Sequence, residues 1–142
     1  MEADVIDEGP KLVIWQTGVN DAINDIGLDR FKRILRKGIA KLREAGADVV
    51  LMDHQPLPHI ERYPFYRDYL AALREVAAET NTPVFRRFDV LGRLLQDGRL
   101  EPDEMFSSDA LHRVDGSYFC VGTTLARTIA EKLSPRAAEV LR

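Results

Sequence analysis

Two short strings carry residue types that acyl-transfer chemistry uses. In Gly18-Val19-Asn20-Asp21 a glycine lets the backbone turn sharply and approach a ligand, and Asn20 offers a carboxamide N–H that stays neutral at every working pH. A neutral donor of this kind suits an oxygen that becomes negative during reaction. In Asp109-Ala110-Leu111-His112 a carboxylate precedes an imidazole by three positions, close enough in a turn to accept the Nδ1 proton and leave Nε2 as a base. Each string, read alone, also fits a structural role in which Asn20, Asp21 or Asp109 caps a turn through side-chain to backbone hydrogen bonds.

The elements around these strings decide whether they can meet. Leu12-Val13-Ile14-Trp15 is an apolar run that ends at turn-forming Gly18, Asn20 and Asp21. From Leu28 onward, Phe31, Ile34, Leu35, Ile39 and Leu42 recur at helical steps and predict one buried face. Ala47 to Met52 is a second continuous apolar run, of the kind found where helices cover both faces of a parallel sheet. Asp53 to Pro64 reads as a proline-rich loop, followed by a helix marked by Phe65, Tyr66, Tyr69, Leu70, Leu73 and Val76. Pro83 to Phe88 is a third predicted strand, Val90 to Gln96 a short helix, and Asp115 to Leu133 a final one with Asp115 as N-cap. Strands alternating with helices predict an α/β fold with a parallel sheet and right-handed crossovers. Functional groups should then gather after Trp15, Met52 and Phe88, at the carboxyl ends of the strands.

Composition narrows the classes. The chain has 142 residues, suited to a single domain over 1–142, with 20 Lys and Arg against 23 Asp and Glu and one cysteine. Scattered basic residues and a net charge of −3 argue against nucleic acid as a partner. No apolar run is long enough to span a membrane, the acidic first residues do not form a signal peptide, and the compartment stays undetermined. Asp53, His54 and His59 fall in one loop, but their spacing is not that of a usual metal site, so no metal is expected. Tyr63, Tyr66 and Tyr69 follow three-residue steps that suggest helix packing with hydroxyls at the surface. Arg86, Arg87, Arg93 and Arg99 read as a solvated rim.

Taken together and in this order, Gly18-Val19-Asn20-Asp21 after a strand and Asp109-Ala110-Leu111-His112 before the last helix resemble the third and fifth blocks of the SGNH, or GDSL-type, hydrolases. The resemblance runs from about residue 3 to the C-terminus. It implies a flavodoxin-like three-layer α/β/α sandwich and hydrolysis of carboxylic esters through a Ser-His-Asp acyl-enzyme, without any cofactor. Asn20 would then be an oxyanion-hole donor with Gly18 beside it, His112 the general base and Asp109 its orienting partner. The implied substrate is a small ester, either an acyl ester or an acetylated carbohydrate.

The family's Gly-Asp-Ser block and its second block have no counterpart, since the first serine is Ser107 and no serine precedes Asn20. Ser107, Ser108, Ser117 and Ser134 do not follow strands, and Thr17 and Cys120 are poorly placed as nucleophiles. The chain is therefore expected to lack the family's first two strands and to be inactive alone. In the family's strand order 2-1-3-4-5 that would leave the Leu12 strand as an open edge, prone to homodimerisation or other association. The alternative is a non-catalytic module that uses the cleft or the edge to bind a ligand or a partner. A nucleotide binder would need a glycine-rich phosphate loop, and the chain has none.

Overall fold

The computed structural model describes residues 5–101, 105–106 and 115–133. Its contacts group the chain into two compact units, residues 1–88 and 89–142. The first opens with a single 3-10 turn at Ile6–Glu8 and continues as β1 (Leu12–Gln16), α1 (Val19–Ile23), α2 (Leu28–Glu44), β2 (Asp48–Met52), a 3-10 turn at Ile60–Arg62, α3 (Tyr66–Glu79) and β3 (Val84–Phe85). α4 (Arg87–Gln96) begins at the end of this unit, and α5 (Asp115–Leu133) belongs to the second.

The three strands form one parallel sheet in the order β1-β2-β3. Leu12 pairs with Asp48 and Gln16 with Met52, while Met52 pairs in turn with Phe85. All strand ends therefore point the same way, and the turns after β1 and β2 emerge side by side. Parallel neighbours require crossovers, and α2 and α3 supply them.

α2 buries Phe31, Leu35, Gly38, Ile39 and Leu42, the spacing expected of one helical face. Ile34 departs from the expected stripe and is 47% exposed. Gly38 is needed where it stands, because a Cβ there would run into the indole of Trp15. The glycine lowers helix propensity but lets β1 and α2 approach with a tryptophan between them. α2 also packs against α3, whose buried face includes Tyr66, Tyr69, Leu73 and Val76. Lys32–Glu75 at 2.6 Å and Arg36–Glu79 at 2.7 Å cross between the two helices at the surface.

The third strand is shorter than the sequence predicts. It ends at Phe85, and helix α4 already starts at Arg87, so Phe88 lies in a helix rather than a strand. The expected loop after Phe88 is thus replaced by a direct strand-to-helix junction. Phe65, expected on the helical face, precedes α3 and is 46% exposed.

In the second unit Leu91, Leu100, Met105, Val121 and Leu125 are buried, and the Ser117 hydroxyl donates to the Met105 carbonyl at 3.4 Å. Among the described residues no helix is long and apolar enough to cross a membrane.

Candidate active site

The turn after β1 is built around Gly18. Its φ of +97° lies in the left-handed region, where a Cβ is strained, and its carbonyl accepts the first hydrogen bond of α1 from Ala22 N at 2.9 Å. Space imposes a second requirement. A Cβ on Gly18 would overlap His54 Nε2 and lie 3.0 Å from His54 Cδ2 and 3.2 Å from Phe31 Cζ. The glycine is therefore enclosed by a side chain from the end of β2 and another from α2. Asn20 follows in the first turn of α1 and is exposed. Its backbone carbonyl accepts from Asn24 Nδ2 at 2.7 Å and from Asn24 N at 3.0 Å, while its own carboxamide enters no hydrogen bond with the described residues. The capping alternative raised for this string does not use the Asn20 side chain.

The end of β2 carries the most heavily buried polar groups. Asp53 has no exposed surface. Arg74 of α3 donates to its Oδ2 twice, from Nη2 at 2.6 Å and Nε at 2.9 Å, and Phe88 N donates to Oδ1 at 2.9 Å. Arg87 Nε donates to the Asp53 carbonyl at 3.1 Å. A bidentate guanidinium and a backbone N–H together neutralise and solvate the buried carboxylate, the condition under which such a charge is tolerated. The cluster ties β2 to α3 and to the start of α4.

His54, next in sequence, is likewise fully enclosed, and neither ring nitrogen has a hydrogen-bond partner among the described residues. Burial, reinforced by the Arg87 and Arg74 guanidinium groups, pushes its pKa from 6.5 down to about 4, against a smaller opposing influence from the Tyr66 backbone. Its ring meets that of Tyr66 edge-on, with centroids 4.9 Å apart.

Asp53, His54 and His59 do not converge. Asp53 faces Arg74, His54 faces Gly18, and His59 is exposed with Nδ1 3.4 Å from Glu61 Oε1. No cluster of three potential metal ligands occurs among the described residues. The tyrosines correct the surface reading: the Tyr66 hydroxyl donates to the Gln55 carbonyl at 2.8 Å, and the Tyr69 hydroxyl donates to Asp25 at 3.1 Å while accepting from Gly27 N at 2.7 Å. Both rings are fully buried, and burial with the adjacent Asp25 pushes the Tyr69 pKa up. Arg87 is 2% exposed, so it is part of the interior and not of a solvated rim.

Gly18 and Asn20 thus sit on one turn at the carboxyl end of β1. Asp109 and His112, and with them Ser107 and Ser108, lie outside the described residues. Ser117 is buried, and Cys120 is half-buried on α5. Sequence reasoning missed Arg74 as the partner of Asp53 and His54 as the neighbour of Gly18. The only local signal was a polar pair, Asp53-His54, directly following an apolar strand.

Comparison with known proteins agrees with this architecture. Residues 1–135 match the model of the non-GDSL lipase-like family. Among solved structures, a lipase/acylhydrolase from Enterococcus faecalis superposes with a TM-score of 0.75 at 22% identity, over 92% of this chain and 67% of that one. An acetylxylan esterase from Geobacillus stearothermophilus superposes with a TM-score of 0.72 at 19% identity, over 94% of this chain and 64% of that one. The chain therefore spans about two-thirds of the length of these structures. No curated protein sequence matches it. A parallel α/β sheet with a glycine-asparagine turn after β1, joined to a family match over nearly the whole sequence, places the chain in the non-GDSL lipase-like family.

Proposed function

We propose that this chain carries the oxyanion-binding and general-base parts of an SGNH-type hydrolase acting on carboxylic esters. The observation that carries the reading is the Gly18 turn, where a left-handed glycine packed against His54 and Phe31 leaves the Asn20 carboxamide exposed at the carboxyl end of a parallel strand. In this reading Asn20 donates to the oxyanion of the tetrahedral intermediate, with Gly18 shaping the turn. His112 takes the proton from the attacking serine and returns it to the leaving alcohol, and Asp109 orients His112. In the family pattern the nucleophilic serine precedes the asparagine turn, and none of the serines of these 142 residues precedes Asn20, so the reading assigns the nucleophile to none of them. Likeness to an acetylxylan esterase favours an acetylated carbohydrate as the ester, with other acyl esters as the wider class. The same reading makes β1, which has a strand partner on one side only among the described residues, a site of association with a second copy.

The test combines turnover with binding. These 142 residues should not hydrolyse p-nitrophenyl acetate above the His112→Ala background, yet should bind an acetylated xylo-oligosaccharide more tightly than its deacetylated form, with Asn20→Ala abolishing the difference. Turnover that is lost both in His112→Ala and after a serine-directed fluorophosphonate would relocate the nucleophile into this chain. Absence of both turnover and acetyl-dependent binding would sink the proposal and favour a module that binds a partner instead.

A further inference from the structure

Among the described residues, His54 is the buried side chain whose polar atoms all lack a hydrogen-bond partner. Such an arrangement carries a desolvation cost that a phenyl ring of similar size would avoid, so packing alone does not account for an imidazole here. The contact it makes supplies a reason. Nε2 faces the α-carbon of Gly18 with no room for a Cβ between them, so an α-hydrogen of the glycine points at the ring nitrogen. A C–H group donates weakly and cannot accept. A proton on Nε2 would be directed at this C–H group, whereas a lone pair on Nε2 can receive it.

We propose that His54 is a positioning residue of the site, held as the Nδ1–H tautomer so that its Nε2 lone pair receives the Gly18 Cα–H and fixes the turn that presents Asn20. The inference rests on the oxyanion role given to that turn under Proposed function. The charged groups around the ring favour the same neutral state. Arg74 from α3 and Arg87 from the start of α4 both oppose a positive imidazole, the adjacent Asp53 carboxylate is engaged by Arg74 and Phe88 N, and Tyr66 contributes an aromatic edge. The Tyr66 backbone, which lies near the ring without completing a hydrogen bond to it, has the smallest influence and acts toward the charged form.

The experiment is nitrogen-15 NMR of the full chain, with two variants. At pH 7 the His54 ring should give the Nδ1–H pattern, and on acidification the backbone amides of Gly18 and Asn20 should shift with the same midpoint as the ring, near pH 4. His54→Gln, whose side-chain oxygen can replace the lone pair, should keep the Gly18 and Asn20 resonances close to their original positions, and His54→Phe should displace them. An Nε2–H tautomer in the wild-type chain, or indistinguishable Gly18 and Asn20 resonances in the Gln and Phe variants, would overturn the proposal. The tautomer is read on the wild-type protein, so it decides even if a variant fails to fold. None of these signals depends on turnover, and an absence of acetyl-ester binding in the same samples would count against the proposed function while leaving the tautomer result intact.

Discussion

The α-carbon of Gly18 and the imidazole of His54 are in contact with no space for a methyl group between them, so the turn after β1 and the end of β2 form one junction. The junction is held from behind. Asp53 anchors its end of β2 to α3 through Arg74 and to α4 through Phe88 N, and Phe31 of α2 closes the other side of Gly18. Changes at this junction should therefore act on stability and on the site geometry together.

Gly18→Ala tests the junction directly. The substitution adds a Cβ in a left-handed conformation, at a cost of about 1–2 kcal/mol, and forces it against a buried ring, at a further cost of about 1–3 kcal/mol. The expected loss, about 2–5 kcal/mol from these two costs together, is large against the stability of a small domain. Urea unfolding at pH 7 should show it as a lower midpoint with an unchanged slope. A loss under about 1 kcal/mol would mean that the turn relaxes freely away from His54.

His54 should also set part of the acid sensitivity. Its pKa falls from 6.5 in the unfolded chain to about 4 in the folded one, so on acidification the unfolded form takes up the proton first. The stabilisation from keeping the ring neutral is complete above pH 6.5, is lost between pH 6.5 and about 4, and changes no further below that. A shift of this size corresponds to about 3 kcal/mol across the window. Denaturant midpoints at pH 7.5, 5.5 and 4.5 should decline more steeply for the wild-type chain than for His54→Phe, since His59 and His112 are common to both. Parallel declines would show that His54 is not the group responsible.

Arg74→Ala should be more damaging than its partly exposed position suggests. It removes the guanidinium that donates twice to the Asp53 carboxylate, a group with no exposed surface. Removing one partner of a buried pair costs about 3–5 kcal/mol, against less than about 1 kcal/mol for surface pairs. Glu75→Ala and Glu79→Ala, which break the Lys32 and Arg36 bridges at the surface of α2 and α3, serve as the comparison. Thermal unfolding of the three variants should separate Arg74→Ala clearly from the other two, and three similar shifts would contradict the buried-pair argument.

The parts of the fold that the sequence discloses are those specified by local pattern. Leu12 to Trp15 and Ala47 to Met52 are apolar runs of strand length, and Phe31, Leu35, Ile39 and Leu42 repeat at helical spacing, so their elements follow directly. The errors arise where a distant partner decides. Arg86-Arg87-Phe88 reads as a strand end with a charged rim, but Asp53 receives the Phe88 N–H and its carbonyl receives Arg87, which draws the segment into a helix and the arginine into the interior. Tyr66 and Tyr69 look like surface hydroxyls until Gln55, Asp25 and Gly27 are brought to them by the fold. Gly18 and Asn20 stand out as a motif, yet the requirement for glycine comes from His54 and Phe31, whose proximity only the tertiary structure reveals.

The open side of β1 yields a prediction about association. Lys11 O accepts from Asp48 N, so by strand alternation the backbone groups of Lys11, Val13 and Trp15 face β2, while those of Leu12, Ile14 and Gln16 face away. Ile14 is also 42% exposed, so a partner strand would find both an outward N–H with no partner among the described residues and apolar surface there. At micromolar concentration the wild-type chain is expected to sediment as a concentration-dependent dimer. Ile14→Pro removes the outward N–H without breaking a β1–β2 hydrogen bond, and Ile14→Lys places a charge on the exposed strand, so both should shift the equilibrium toward monomer. A wild-type chain that stays monomeric throughout the concentration range would show that this edge is protected without a second copy, and dimers unaffected by either substitution would place the interface elsewhere.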